Sequence, residues 1–258
     1  MTSGDELDAP TVILVAPQLG DNIGSAARAM LNFGLTDLRL VQPRDGWPSK
    51  SAVAYAAGAT QVLDDATLHA DSAEAIADLQ WVYATTARPR DMDKPVITPH
   101  QAAAEMRAAT ARGEKVGILF GRERSGLGND DVTLANKIIS VPLNADFPSM
   151  NLAQAVMLVS YEWYQSGLAE MPVGDNDVGD KEMSAAPPPT GSQMQALFKH
   201  LEDELVESRF LYPPAKVPSM VRNLRNLIMR GNLSAHDVRI LRGVIASLTR
   251  KKENRSAP

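Results

Sequence analysis

Three short segments combine residue types that could do chemistry. In the first, Asp21-Asn22-Ile23-Gly24-Ser25-Ala26-Ala27-Arg28 follows the apolar run Val12 to Ala16. If the run is a strand and a helix follows it, the free N–H groups at the helix start favour an anion, and Gly24 permits close approach there. Ile23, Ala26, Ala27, Met30 and Leu31 form a helical stripe, so a helix is predicted over 23–32 with Asp21 or Asn22 as its cap. Arg28 lies about 140° around from Ile23 and off that stripe, where it faces either a ligand or only solvent.

The second segment runs from Val116 to Gly128: a buried-strand pattern ending at Phe120, then Gly121-Arg122-Glu123-Arg124-Ser125-Gly126-Leu127-Gly128. Glycines there let a backbone turn tightly or touch a ligand, and a plain turn has no need of the charges, which leaves a ligand loop and a charged surface loop both open. The third is Val141-Pro142-Leu143, then Pro148-Ser149-Met150-Asn151-Leu152, a last strand followed by a loop at a helix start. Ser149 is either that helix's cap or a functional hydroxyl.

Other chemistries are missing. Neither G-x-G-x-x-G after a strand nor G-x-x-x-x-G-K-[ST] occurs, and there is no G-x-S-x-G, so a standard dinucleotide site, an NTP site and a serine-hydrolase elbow are disfavoured. With no cysteine and four scattered histidines, thiolate chemistry is excluded and no metal site is expected. Asp175, Asp177 and Asp180 lack the twelve-residue calcium-loop frame and its closing Glu. Asp91, Asp93 and Lys94 have no role that the sequence assigns.

The elements that must position these segments read as an α/β pattern. Strands are predicted at Val12 to Ala16, Leu38 to Val41, Gln61 to Leu63, Trp81 to Thr85, Val116 to Phe120 and Ile138 to Val141, alternating with Ala-rich helical stretches. Most are continuous apolar runs, as expected of a mostly parallel sheet covered on both faces. A further helix follows Ser149, with Leu152, Ala155, Val156, Val159 and Trp163 on one side. Residues 1–166 are expected to form this domain, and 167–191, Pro-rich and acidic, a flexible linker. Residues 192–258 then form a small all-α domain of three helices, Met194 to Ser208, Val217 to Arg230 and Ala235 to Arg250.

Charge divides at the linker. The whole chain of 258 residues is net −5, which taken alone argues against a nucleic-acid partner, yet residues 191–258 carry 12 basic and 6 acidic groups. Arg222, Arg225, Arg230, Arg239, Arg242, Arg250, Lys251 and Lys252 could be a solvated surface or a phosphate-contacting patch. A polar, acidic N-terminus and the lack of an apolar run of about 18 residues predict a cytoplasmic protein without membrane spans.

Taken together and in order, the three segments resemble the signature motifs of the SPOUT (trefoil-knot) RNA methyltransferases, in the branch that methylates ribose 2′-hydroxyls. Asn22-Ile23-Gly24-Ser25-Ala26-Ala27-Arg28-Ala29-Met30 with Asn32-Phe33-Gly34 is similar to the first motif, Leu119 to Leu127 to the second, and Ser149 to Val156 to the third. The helical extension, with Ile240-Leu241-Arg242-Gly243, resembles a tRNA-methylating subgroup that acts on anticodon-loop nucleotide 32, cytidine or uridine. Ser125 and the triplet Pro148-Ser149-Met150 depart from the commonest family choices.

The resemblance implies a parallel sheet with a deep trefoil knot and S-adenosylmethionine as cofactor, held by Thr85, Thr86, Ala87, Gly121, Val141, Ser149 and Met150. It implies that Arg28, Asn151 and Ser149 are catalytic and that Asn22, Arg28 and Glu123 meet the substrate. Glu123 either contacts substrate or a partner subunit, or neutralises Arg122 and Arg124. The implied partners are tRNA and a second copy of the chain, with no metal. An rRNA or another tRNA position as target, and a catalytically silent RNA-binding module, are the competing expectations.

Overall fold

The computed structural model describes residues 9–86, 94–168 and 187–253. It divides into two compact units, Met1–Val178 and Gly179–Pro258. Most of the expected linker, and the residues Asp91 and Asp93, lie outside the described residues.

The first unit is a seven-stranded, all-parallel sheet. In chain order its elements are β1 (Thr11–Val15), α1 (Gly20–Asn32), β2 (Leu38–Val41), α2 (Lys50–Ala56), α3 (Thr60–Asp64), β3 (Thr67–His69), α4 (Ser72–Ala75), β4 (Trp81–Thr85), β5 (Val96–Ile97), α5 (Pro99–Ala111), β6 (Val116–Phe120), α6 (Asn129–Thr133), β7 (Lys137–Ile139) and α7 (Leu152–Leu168). The strand order is β3-β2-β1-β6-β4-β7-β5. Strand β7 is thus inserted between β4 and β5, an order compatible with a knotted chain.

Why these runs are strands is visible in how they divide between two cores. Along β1, Val12 and Leu14 enter the core shared with α1, α5 and α7, while Ile13 and Val15 enter the opposite core with Ala75, Ile76, Leu79 and Val132. On β6, Ile118 and Phe120 take the first side and Leu119 the second. A strand buried on both faces needs apolar residues at every position, which is why these runs are continuous rather than alternating.

Several sequence expectations are corrected. Gln61 to Leu63 is not a strand: it lies within α3, whose Val62 and Leu63 turn into the core, and the strand is the next segment, β3. Strand β3 has two exposed residues out of three, so it carries no apolar run to announce it. The last strand spans Lys137–Ile139 rather than Ile138 to Val141, and the two-residue edge strand β5 was not expected. Helix α1 starts at Gly20, before the predicted 23–32, and neither Asp21 nor Asn22 caps it; its N-cap is Leu19, without a side-chain cap bond.

Two details hold the site's framework. A Cβ on Gly24 would overlap the backbone carbonyl of Ala52, so the close approach this glycine permits is between α1 and α2. Gly24→Ala is expected to force these helices apart and cost ~3 kcal/mol, read as a lower urea midpoint at unchanged m-value. The other is Lys94, which is buried and donates to the carbonyls of Thr133 and Ala135 at 3.0 and 2.6 Å, at the carboxyl end of α6. Burial pulls its pKa down to about 8.

The second unit is helical: α8 (Gly191–Glu207), α9 (Val217–Met229) and α10 (Ala235–Glu253). Its core is small, formed by Met194, Leu197, Phe198 and Val238, with Ile228, Met229, Leu233 and Ile245 packed against it. Thr190 and Gln193 form a capping box at the start of α8. The basic residues differ in their surroundings. Arg225 makes a two-pronged ion pair with Glu202 at 2.6 and 2.9 Å and lies over the Phe198 ring, whereas Arg239 and Arg242 are exposed on α10.

Candidate active site

The carboxyl ends of β4, β6 and β7 open into a cleft of about 470 Å³, in the position where open parallel sheets bind ligands. Strand β4 delivers Thr85 and Thr86. The Thr85 hydroxyl donates to the Leu119 carbonyl at 2.9 Å, and the Thr86 N–H to the Ile139 carbonyl at 3.1 Å, so the end of β4 is tied to both neighbours. Strand β6 delivers Phe120 and then a loop that folds back on itself. The Gly126 N–H donates to the Arg122 carbonyl at 2.8 Å, and Gly126 holds a φ of +67°, which glycine alone adopts without strain.

Gly121 is required by the same turn. A Cβ there would overlap the backbone of Gly126 and Leu127. Of the two roles open for the glycines of this loop, tight turning therefore accounts for both 121 and 126. The opposite wall comes from the chain after β7, with Val141, Leu143, Pro148, Ser149 and Met150.

Of the seven residues expected to hold a cofactor, Thr85, Thr86, Gly121, Val141, Ser149 and Met150 line this one cleft. Ala87 lies outside the described residues. The cleft also contains Ile139, Leu143, Leu152 and Ala155, an apolar floor that local pattern reads only as core, and Arg124, which the charge of its loop could have singled out.

Three of the other expected residues form a chain of hydrogen bonds that leads away from the cleft, which Glu123 itself lines. The Glu123 carboxylate accepts from the Gln18 N–H at 2.8 Å, the Leu19 N–H at 3.1 Å and the Asn22 amide at 2.9 Å. The Asn22 carbonyl oxygen accepts from the Asn151 amide at 2.9 Å, and the Asn151 oxygen accepts from the Ala153 N–H at 2.9 Å. Glu123 thus supplies from the second segment the cap that α1 lacks, and Asn151 occupies the start of α7. Ser149 is left exposed in the cleft, free of the capping role.

Arg122 turns away from Glu123 toward Asp131, 3.9 Å away. Glu123 therefore serves the start of α1 and not its neighbouring arginines. Arg28 is exposed on α1, about 9 Å along the helix axis from Asn22 at the α-helical rise, and is absent from the cleft lining. The structure brings together every described site residue except this one.

Glu123→Gln keeps the shape and replaces an acceptor by a donor facing N–H groups. It is expected to cost ~1 kcal/mol by leaving a half-buried donor unpaired, measured by urea unfolding, with Asn22→Ala showing a similar loss.

The sequence of residues 9–161 matches the SpoU rRNA Methylase family, and residues 192–257 match the tRNA methyltransferase TrmJ C-terminal domain. The chain belongs to the SpoU methylase family. Among family relatives, the tRNA (cytidine/uridine-2′-O-)-methyltransferase TrmJ of Pectobacterium atrosepticum is 33% identical over 242 residues, covering 94% of this chain and 97% of the relative. A crystal structure of TrmJ from Z. mobilis ZM4 superposes with a TM-score of 0.83 at 47% identity, over 94% of this chain and all of that one. A probable methylase family protein from Haemophilus influenzae Rd KW20 gives 0.60 at 30% identity over 97% of this chain. The methylase match covers all three segments and the strands whose ends build the cleft, and the second match covers the basic helical unit.

Proposed function

We propose that this chain transfers the methyl group of S-adenosylmethionine to a ribose 2′-hydroxyl of tRNA, at anticodon-loop nucleotide 32, cytidine or uridine. The observation that carries the reading is the pairing of a SpoU methylase unit with a TrmJ-type C-terminal unit along one chain. In this reading 1–166 is the catalytic domain, 167–191 a tether, and 192–258 the part that grips the tRNA body.

The cleft fits the cofactor. Its volume of about 470 Å³ is within the usual range for small-molecule sites, and Phe120, Ile139, Leu143 and Leu152 offer an apolar bed for an adenine ring. Thr85, Thr86, Gly121, Val141, Ser149 and Met150 would hold it. When bound, the cofactor supplies an electrophilic sulfonium methyl group. The protein then has to align the ribose oxygen and assist loss of its proton.

Arginine is a poor base because its pKa exceeds about 12, so Arg28 orients a phosphate of the RNA and stabilises the developing oxyanion. The proton leaves to a phosphate oxygen, to the exposed Ser149 hydroxyl or to water. Asn151, anchored through Asn22 to Glu123, keeps the loop carrying Ser149 against α1, and Asn22 and Glu123 present that corner to the substrate.

The active form in this reading is a homodimer. Met157, Tyr161, Tyr164 and Leu168 are exposed along one flank of α7, a stripe that a second copy would bury. No metal takes part, and among the described residues no cluster of potential metal ligands occurs. Among them, too, no helix is long and apolar enough to cross a membrane. We place the protein in the cytoplasm, with its tRNA substrate.

Nucleoside mass spectrometry of tRNA from a deletion strain tests the reading. Loss of 2′-O-methylcytidine or 2′-O-methyluridine at nucleotide 32 is expected, and a change confined to rRNA or to another tRNA position would overturn that target. Calorimetry with S-adenosylmethionine that shows no binding would instead favour the silent module.

A further inference from the structure

The loop between β7 and α7 carries, at its outer rim, an aromatic ring that the cleft does not use. Phe147 is 72% exposed and does not line the cleft, although Leu143 and Pro148 to Met150, on either side of it, all do. The ring is presented by an ordered turn: the Asp146 N–H donates to the Asn144 side-chain oxygen and the Phe147 N–H to the Asn144 carbonyl, each at 3.0 Å. A phenylalanine held in water by such a turn forgoes burial in this chain, and flat apolar rings at the mouth of an RNA site meet unstacked bases.

Across the cleft stands a cation. Arg124 lines the cleft and is exposed, and none of the described residues pairs or hydrogen-bonds with its side chain. A ring on one loop and an unused positive charge on the facing loop complement a single-stranded nucleotide, with its π-face and its phosphate. Phe147 is two residues from Ser149, at most about 7 Å along the chain, which places the ring beside the reacting ribose.

We propose that Phe147 stacks on the base of the nucleotide being methylated and that Arg124 holds a phosphate next to it, so that the two together set the substrate's register. The inference rests on the RNA-methylating function proposed above. It makes Phe147 a positioning residue for RNA alone, with no part in holding the cofactor.

Steady-state kinetics and binding with the full-length protein test this. Phe147→Ala is expected to raise KM for tRNA about ten- to hundredfold, with kcat and S-adenosylmethionine affinity by calorimetry unchanged, and Phe147→Trp to restore KM to within about threefold. With tRNA made abasic at the modified nucleotide, wild-type affinity falls by the same factor and Phe147→Ala loses nothing further. Arg124→Gln weakens binding of both RNAs equally and lowers the salt dependence of binding. An unchanged KM for Phe147→Ala, failure of Trp to rescue, an equal Phe147→Ala effect on abasic tRNA, or loss of cofactor binding would each overturn the stacking role. Those outcomes require wild-type transfer to tRNA. Its absence would overturn the functional reading itself, and the stacking role with it.

Discussion

Arg28→Lys is expected to lower turnover at least about a hundredfold while leaving S-adenosylmethionine affinity unchanged, because removing one preorganised donor from a developing oxyanion costs ~10²–10³ in kcat. Lysine keeps the charge and loses the planar fork, so the variant separates directional hydrogen bonding from simple electrostatics. The side chain is exposed, off the buried stripe of α1, and outside the cleft lining, so neither folding nor the cofactor wall depends on it. Single-turnover methyl transfer with saturating tRNA makes the measurement. Wild-type rates for Arg28→Lys would remove Arg28 from the chemistry. A lowered rate accompanied by weakened cofactor binding would move it to the cofactor site.

Gly121→Ala is expected to abolish cofactor binding by calorimetry. The added methyl group would overlap main-chain atoms of Gly126 and Leu127, which cannot rotate away as a flexible side chain could. The loop that forms one wall of the cleft must then unfold outward, and its Gly126 to Arg122 hydrogen bond is lost with it. Gly126→Ala is the control. There the added carbon meets nothing within 4 Å, and only the left-handed backbone conformation is penalised, at about 1–2 kcal/mol. A ranking with Gly126→Ala as damaging as Gly121→Ala would show that loop strain, rather than backbone overlap, governs the cleft.

Much of the framework is legible along the chain because strands buried on both faces and helices buried on one leave strong periodic traces. Val12 to Val15, Trp81 to Thr85 and Val116 to Phe120 are apolar at nearly every step, and α1 and α7 carry clear stripes. The traces fail at the edges of the sheet. Thr67–His69 and Val96–Ile97 are short strands with exposed residues, so pairing with one neighbour identifies them and hydrophobicity does not. Gln61 to Leu63 misleads in the opposite way, since two adjacent apolar residues fit a strand or a single helical turn equally well.

The site divides along the same line. Residue types in the local segments were enough to mark Gly121, Val141, Ser149 and Met150, the family resemblance added Thr85 and Thr86 from outside them, and the cleft gathers all six. No local rule could give Glu123 its partners. It meets Gln18, Leu19 and Asn22 from more than a hundred positions away, and Asn22 meets Asn151 across 129. The capping expected of Asp21 or Asn22 was a sound local inference that a distant carboxylate displaced. In the same way, a run of basic residues in the last quarter predicted a charged surface, but only packing shows that Arg225 is committed to Glu202.

By itself, then, the order of residues determined the α/β class, the separate basic helical unit, the absence of thiol chemistry and the three segments that carry the family resemblance. These follow from short-range periodicity and composition, which do not depend on where the chain later goes. Tertiary structure decided which carboxylate caps α1, which glycine is indispensable to the cleft, and that Ser149 is left available while Asn151 takes the helix start. The first depends on contacts across more than a hundred residues, which exist only once the sheet has paired β1 with β6. The other two turn on how the chain folds back within a few residues, Gly121 against Gly126 and Leu127 and Asn151 onto Ala153, which periodicity does not encode.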